Sequence, residues 1–149
     1  MEYVILLPML ILQVIILPLA TGWIMSVWTD SRMHNELQDA ANHVGSIIQQ
    51  LYLSLNRDDV LPSNITQAAN VPSTIESYPY SATGALRTAS GSKILNLHFT
   101  LQSTQVAADS SVVLGPNVSW QSSTFMSNSS NACIKVWKQT SGAFVFSFS

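Results

Sequence analysis

The chain has 149 residues, of which 9% are charged, and its formal net charge at pH 7 is −2. Ordinary soluble domains carry roughly 25% charged residues, so this chain is unusually poor in charge. It lacks the clustered basic surface that nucleic-acid binding requires, and we expect no nucleic-acid partner.

The N-terminal region has no charged side chain between Glu2 and Asp30. Residues 3–28 are apolar on every face of a helix, and about 20 such residues already cross a bilayer core of roughly 30 Å. A soluble domain of this size cannot surround that helix, because its whole circumference needs apolar neighbours. The segment is therefore predicted to lie in lipid or to be surrounded by copies of itself.

The same segment does not have the pattern of an intact secretory signal peptide. It lacks a Lys/Arg-rich start, and it is longer than the apolar core of about 7–15 residues that signals contain. Two alternatives follow: a signal anchor without flanking charge, or a chain from which a basic leader has been removed. Both place the segment in the cytoplasmic membrane before any assembly.

The helical pattern continues beyond the apolar run as an amphipathic stretch. Its apolar residues recur at helical spacing: Met33, Leu37, Ala40, Ala41, Val44, Ile47, Ile48, Leu51 and Leu55. Residues 56–59 and Pro62 then end the helix. One helix is predicted over residues 1–56, with 1–30 as the filament-core or membrane segment and 31–56 packing on a sheet.

Three residues weaken this helix without ending it. Gly45 lowers helix stability by about 1 kcal/mol relative to Ala. Pro8 and Pro18 interrupt the apolar half, where neighbouring helices can stabilise such breaks. A kink or a short unwound stretch is expected between Pro18 and Gly22.

The polar and aromatic side chains of the apolar half have several interpretations. Trp23 and Trp28 flank its end and would form an interfacial belt in a membrane or fill space between helices in a bundle. Thr21 and Ser26 can bond their own helix. For Gln13 three roles stay open: a bond to a carbonyl freed by the nearby proline, a bond to a neighbouring helix, or a tolerated amide.

The remainder of the chain has the pattern of a small β domain. Residues 57–90 are predicted as a loop-rich connector, with a short strand around 78–86. From Lys93 the apolar period becomes two, and strands are predicted at 94–101, 112–114, 118–120, 133–137 and 143–148, with a hairpin turn at 138–142. Phe144, Phe146 and Phe148 fall on one face. The predicted fold class is α+β: a long N-terminal hydrophobic α-helix followed by a small antiparallel β-sheet domain over residues 91–149.

The β half has the composition of an extracellular surface. Roughly a third of the residues from Ser63 onward are Ser, Thr or Asn. Asn64, Asn117 and Asn128 each begin an Asn-X-Ser/Thr triplet and are candidate N-glycosylation sites. Cys133 is the one cysteine, so an internal disulfide is impossible, and its apolar neighbours predict a small buried residue.

No pattern in the chain points to catalysis or to metal binding. His34 and His43 are nine residues apart on the helix and point in different directions, and His98 is isolated. The adjacent Asp58 and Asp59 at a helix end are expected to be solvated. Since a nucleophile elbow and a phosphate-binding glycine loop are both missing, we predict that the chain is not an enzyme and needs no cofactor.

Two short stretches resemble a known family. The opening, Glu2, an aromatic residue, four apolar residues, Pro8 and further leucines, is similar to the start of TadE-like pseudopilins from tight-adherence pili. Leu37-Gln38-Asp39-Ala40-Ala41 is similar to a Leu-Gln-x-Ala-Ala stretch that those proteins carry. The similarity covers about the first 45 residues and places the chain near the type IV pilin superfamily. The Ser/Thr-rich, sequon-bearing outer domain resembles archaeal pilins.

The resemblance implies a structural subunit of an extracellular filament that polymerises through its N-terminal helices and serves surface adhesion. Its partners would be copies of itself, the membrane before assembly and the pilus assembly machinery. The helix-packing residues would be Leu6, Leu7, Leu10, Ile11, Val14, Ile15, Leu17 and Ile24. Glu2 would pair with a neighbouring subunit's N-terminal amine, or simply favour the positive end of its own helix dipole.

Two other hypotheses remain beside the filament subunit. A single-span, membrane-anchored ectodomain that binds a ligand would need the same apolar segment. A minor pseudopilin that primes or caps a filament would share most features of the leading hypothesis.

Overall fold

In the computed structural model of the chain, the structure describes residues 3–149, with side chains from residue 8 onward. The elements are α1 (Tyr3–Leu55), β1 (Asn64–Ala68), β2 (Tyr80–Ala89), β3 (Ser92–Leu101), β4 (Ala107–Leu114), β5 (Val118–Trp120), β6 (Thr124–Met126), β7 (Cys133–Lys138) and β8 (Phe144–Phe148). The predicted α+β fold class is confirmed. Glu2 and the side chains of Leu6 and Leu7 lie outside the described residues, so their predicted roles stay predictions.

The chain divides into two units, residues 1–33 and residues 34–149. The first unit is helical wherever the structure describes it, including the stretch from Pro18 to Gly22 that was expected to unwind. The expectation of an unwound stretch was therefore wrong, whereas the alternative of a kink stays a prediction. A proline in a helix removes one backbone hydrogen bond, and the residues on either side of Pro18 keep the helical conformation.

The second unit contains two four-stranded sheets instead of the one predicted. The first sheet has the strand order β1-β7-β8-β5, and the second sheet has the order β4-β3-β2-β6. Neighbouring strands pair antiparallel, except that β5 pairs parallel with β8. The two sheets and the helical residues 34–55 enclose the hydrophobic core.

The range 57–90, predicted as a loop-rich connector with one short strand around 78–86, contains β1 and the whole of β2. β1 lies at the edge of the first sheet and is too polar for an apolar alternation to be visible. β2 runs to Ala89 and joins β3 through a two-residue turn at Ser90 and Gly91, whose φ angles are +47° and +84°. Two consecutive positive φ angles are typical of the type I′ turn that matches the twist of a hairpin.

The amphipathic part of α1 packs as predicted. Leu37, Ala41, Val44 and Ile48 are fully buried. Gly45 determines how closely this part of the helix approaches the second sheet, because a Cβ at this position would lie 3.0 Å from Ser110 Oγ and 3.1 Å from Val112 Cγ2. The glycine that weakens the helix therefore permits its contact with the sheet.

Aromatic side chains connect the two sheets. Phe144, Phe146 and Phe148 are all buried, which confirms that they share one face of β8. The rings of Phe148 and Phe125, which belong to different sheets, have centroids 5.5 Å apart.

Cys133 was predicted to be buried, but in the structure it is only half-buried. Alternation along β7 turns Ile134 inward, so the residue before it faces outward.

A lysine from the first sheet caps the C-terminus of α1. The last carbonyls of a helix have no partner within the helix, and the last turn of α1 contains no basic residue. Lys138 is 9% exposed and its Nζ donates hydrogen bonds to Leu55 O at 2.7 Å and to Arg57 O at 2.9 Å. The ammonium also lies 5.7 Å from the centroid of the Phe144 ring.

Candidate functional site

The most unusual feature of the described chain is the exposed apolar surface of residues 8–28. The large apolar side chains of this segment are between 49% and 73% exposed: Met9, Leu10, Ile11, Leu12, Val14, Ile15, Ile16, Leu17, Leu19, Trp23, Ile24, Met25, Val27 and Trp28. A soluble monomer rarely exposes a contiguous apolar patch larger than a few hundred Å². The segment therefore requires an apolar environment that the described chain does not supply.

The exposed surface has no preferred side. Residues 9–17 are all exposed, and at about 100° per residue they cover the complete circumference of the helix. Six of the predicted packing residues belong to this surface: Leu10, Ile11, Val14, Ile15, Leu17 and Ile24. Met9, Leu12, Ile16, Leu19 and Met25 are equally exposed, so the structure does not distinguish the predicted set from its neighbours. The sequence signal that identifies these five additional residues is the uninterrupted apolar run itself.

The hydroxyl groups of this region are satisfied by their own helix. Thr21 Oγ1 donates to Leu17 O (2.9 Å) and Pro18 O (3.0 Å), Ser26 Oγ to Trp23 O (2.8 Å), and Thr29 Oγ1 to Met25 O (2.9 Å). The prediction that Thr21 and Ser26 bond their own helix is thus confirmed. Since a buried hydroxyl without a partner costs about 1–3 kcal/mol, these bonds allow the segment to enter an apolar environment.

Gln13 is the remaining polar side chain of the apolar half. It is exposed and forms no hydrogen bond to the described part of the chain, so the bond to a carbonyl freed by Pro18 is not formed here. A bond to a neighbouring helix and a tolerated amide both stay open.

The two tryptophans mark the C-terminal limit of the apolar surface. Trp23 and Trp28 are each more than 70% exposed. Trp28 lines an open groove of about 340 Å³ together with Val27, Ser31 and Arg32. Tryptophan beside a charged residue at the end of an apolar helix is typical of the membrane–water interface.

The three candidate glycosylation sites lie in different surroundings. Asn64, on β1, and Asn128, in a turn, are exposed. Asn117 is half-buried, and its Nδ2, the atom to which a glycan would be attached, donates to Gly142 O at 2.9 Å. Its Oδ1 lies 3.5 Å from the Tyr52 hydroxyl, which donates to it. Asn117 is therefore engaged in the fold, whereas the other two present free amides.

The three histidines have different surroundings. His34 Nδ1 donates to Ala107 O at 3.0 Å, His43 is exposed, and His98 Nδ1 donates to Asp109 Oδ1 at 2.7 Å. The His98–Asp109 pair lies on the exposed face of the second sheet, beside an open concavity of about 390 Å³. Within the described residues, no three His, Cys, Asp or Glu side chains come together as metal ligands.

The helix that carries the apolar surface is long and apolar enough to cross a membrane, with a mean hydropathy of 2.1 over its most apolar 18 described residues. Length and composition alone support this statement. Comparisons with protein-family models, with curated proteins and with solved structures find no match for this chain.

Proposed function

We propose that this protein is the structural subunit of an extracellular, type IV pilus-like filament and that it polymerises through residues 8–28. In this proposal the β domains form the outer surface of the filament. Surface adhesion follows from the resemblance to type IV pilins and belongs to the same proposal.

One observation carries the proposal: the apolar segment is exposed around its complete circumference. A helix with one apolar stripe can be covered by a single partner surface, as residues 34–55 are covered by the sheets. A helix that is apolar on all sides needs neighbours on all sides. Several identical helices, each surrounded by others, provide such neighbours in an aqueous exterior.

The energy available to such a bundle is large. A segment that buries on the order of 2,000 Å² of apolar surface gains tens of kcal/mol before ordering costs, at about 25 cal/mol per Å². Identical subunits that bind head to tail through two different surfaces form a ring if the repeated rotation brings the last subunit back to the first. If it does not, the contacts extend into a helical fibre.

Lipid is the first environment of the segment in this proposal. The segment has the length and composition of a membrane span, and its hydroxyls are already bonded within the helix. Transfer from lipid to a bundle would exchange one apolar environment for another, with the pilus assembly machinery performing the extraction. The satisfied hydroxyls support this transfer because Thr21, Ser26 and Thr29 need no new hydrogen-bond partner at either stage.

A membrane-anchored ectodomain is the principal alternative. Trp23 and Trp28 favour it specifically, because exposed tryptophans next to Asp30 and Arg32 suit an interfacial position. The alternative predicts that lipid remains the final environment of the segment. A minor pseudopilin would occur in filaments only at low copy number.

The test compares two leucine substitutions on the same helix. Leu12 is 59% exposed and Leu53 is 60% exposed, so arginine at either position should leave the described fold intact. We expect Leu12→Arg to abolish filaments on the surface of the source cell, because an unpaired charge in an apolar bundle costs several kcal/mol. Leu53→Arg should leave filaments that contain this chain visible by electron microscopy.

Filaments that form equally well with Leu12→Arg would contradict helix-core packing. Detergent extraction of the unaltered protein that yields only dispersed monomers, from cells that carry no fibre with this chain, would favour the membrane-anchored alternative.

A further inference from the structure

Trp137 lies on the outer face of the first sheet and is 56% exposed. It belongs to β7, which pairs with β1 on one side and with β8 on the other, so it lies inside the sheet and not at its edge. More than half of this tryptophan is therefore left outside the core. Its exposed face is available to an external group.

The surroundings of Trp137 combine one apolar wall with polar groups. Residues that lie directly opposite on paired strands point to the same face. Trp137 has Asn64 opposite it on β1 and Val145 opposite it on β8. An open concavity of about 160 Å³ lies here, and its lining includes Asn64, Gln121, Lys135, Trp137, Val145 and Ser147.

The sequon at Asn64 faces this concavity. Asn64 pairs with Trp137, and Thr66, which completes the triplet, pairs with Lys135 on the same face. Asn64 and Thr66 are both exposed. Directly opposite residues have Cβ atoms about 4.5–5.5 Å apart, so a group attached to Asn64 Nδ2 starts beside the indole ring.

We propose that Asn64 carries an N-linked glycan whose first pyranose stacks on Trp137. A pyranose presents a face of C–H groups, which carry partial positive charge and are attracted to the negative face of an aromatic ring. The hydroxyls and acetamido groups at the rim of that sugar would meet Lys135, Gln121 and Ser147. The inference does not depend on filament assembly.

The attachment is an ordinary glycosyl transfer from a lipid-phosphate-linked oligosaccharide. The bond between Asn64 Nδ2 and the sugar C1 forms as the bond between C1 and the donor's phosphate oxygen breaks. The amide loses one proton, and the lipid phosphate leaves with the bonding electrons. The cell's glycosyl transfer enzyme performs the reaction, and this chain supplies the acceptor.

Site occupancy is measured first, on the full chain purified from its source cell. Trypsin cleavage after Arg57 and Arg87 releases residues 58–87, which contain Asn64 as the single sequon. We expect mass spectrometry to find the hexose or N-acetylhexosamine mass on this peptide. An unmodified peptide would overturn the proposal, and an independent saccharide-binding role for Trp137 would then be the alternative to test.

Stacking is measured by thermal unfolding of four proteins: the unaltered chain, Thr66→Ala, Trp137→Ala and the double variant. Thr66→Ala removes the glycan but keeps Asn64. We expect it to lower Tm by about 3 °C in the unaltered background and by less than about 1 °C when Trp137 is already alanine. Equal losses in both backgrounds would overturn the stacking.

Two control variants make the result specific. Trp137→Phe keeps an aromatic face and should retain most of the glycan-dependent shift. Ser130→Ala removes the sequon of the exposed Asn128, which has no strand partner, and should leave Tm unchanged. A glycan-dependent shift of the same size at Asn128 would mean that glycosylation stabilises the chain without the Trp137 ring.

Discussion

At the residue scale, Lys138 shows how one side chain connects distant parts of the chain. Its buried ammonium bonds carbonyls 83 and 81 residues away in sequence, at the end of α1. The ammonium replaces the hydrogen-bond donors that a continuing helix would have supplied. Since no acidic partner neutralises it, the carbonyls of Leu55 and Arg57 and the Phe144 ring are what stabilise this charge among the described residues.

Lys138→Met should therefore destabilise the second unit by about 2–3 kcal/mol, because it leaves the carbonyl of the buried Leu55 without this donor and removes a second hydrogen bond to Arg57 O. Lys135→Met is the matched control, since Lys135 is exposed on the same strand. Urea unfolding followed by circular dichroism in detergent measures both. If both variants unfold at the same urea concentration, the cap contributes nothing.

Tyr80 makes the fold sensitive to alkaline pH. Burial raises the pKa of its hydroxyl from 10.0 to about 12, and the hydroxyl donates to Pro72 O at 2.7 Å. The neutral form is thus favoured in the folded state. The stability that the neutral Tyr80 hydroxyl contributes is complete below pH 10, where the tyrosine of the unfolded chain is also neutral. This stability is lost as the pH rises from 10 to about 12.

Between these pH values the free energy of unfolding should fall by about 2 kcal/mol more in the unaltered protein than in Tyr80→Phe. The exposed Tyr78 provides the control variant Tyr78→Phe, which should retain the unaltered pH dependence. Identical alkaline profiles for Tyr80→Phe and the unaltered protein would show that Tyr80 ionises without a folding penalty.

At the element scale, Gly45 is unfavourable for the helix itself but favourable for the packing of the helix on the second sheet. Valine at this position would improve the helix propensity slightly but would overlap Ser110 and Val112. We expect Gly45→Val to destabilise the second unit by about 1–3 kcal/mol through overpacking. Gln49→Val, on an exposed position of the same helix, should change stability by less than about 0.5 kcal/mol. Urea unfolding compares the two, and a stabilised Gly45→Val would contradict the close packing.

The elements that the sequence predicts well are those with a strong local period. α1 was predicted to end at residue 56 and ends at Leu55, and the β7–β8 hairpin lies where the alternation and the turn at 138–142 placed it. β1 is a polar edge strand whose pairing depends on β7, far along the chain, so no local pattern could reveal it. The short strand predicted around 78–86 overlaps β2, and Ser90-Gly91, a two-residue turn leading into β3, was the signal for the rest of its length.

At the scale of the whole molecule, the same contrast holds for the candidate site. The uninterrupted apolar run predicted the exposed segment because it needs no tertiary information. The half-buried state of Asn117 and the pairing of Asn64 with Trp137 could not be predicted, because both depend on contacts between residues far apart in sequence.

The second unit should be independent of the apolar segment. Apart from Met33, the buried apolar residues of the described chain belong to residues 34–149, so a chain without residues 1–33 should remain folded, soluble without detergent and monomeric. Circular dichroism and size-exclusion chromatography with light scattering measure these properties. An unfolded or aggregated fragment would mean that the first 33 residues are needed for folding of the second unit.

The most direct test of the central claim is a cryo-electron microscopy reconstruction of surface filaments isolated from the source cell. We predict that residues 8–28 of each subunit lie near the filament axis and are surrounded by the same residues of neighbouring subunits. A cell surface on which this chain occurs only as single membrane-spanning copies, with lipid and no other copy around residues 8–28, would contradict the proposal.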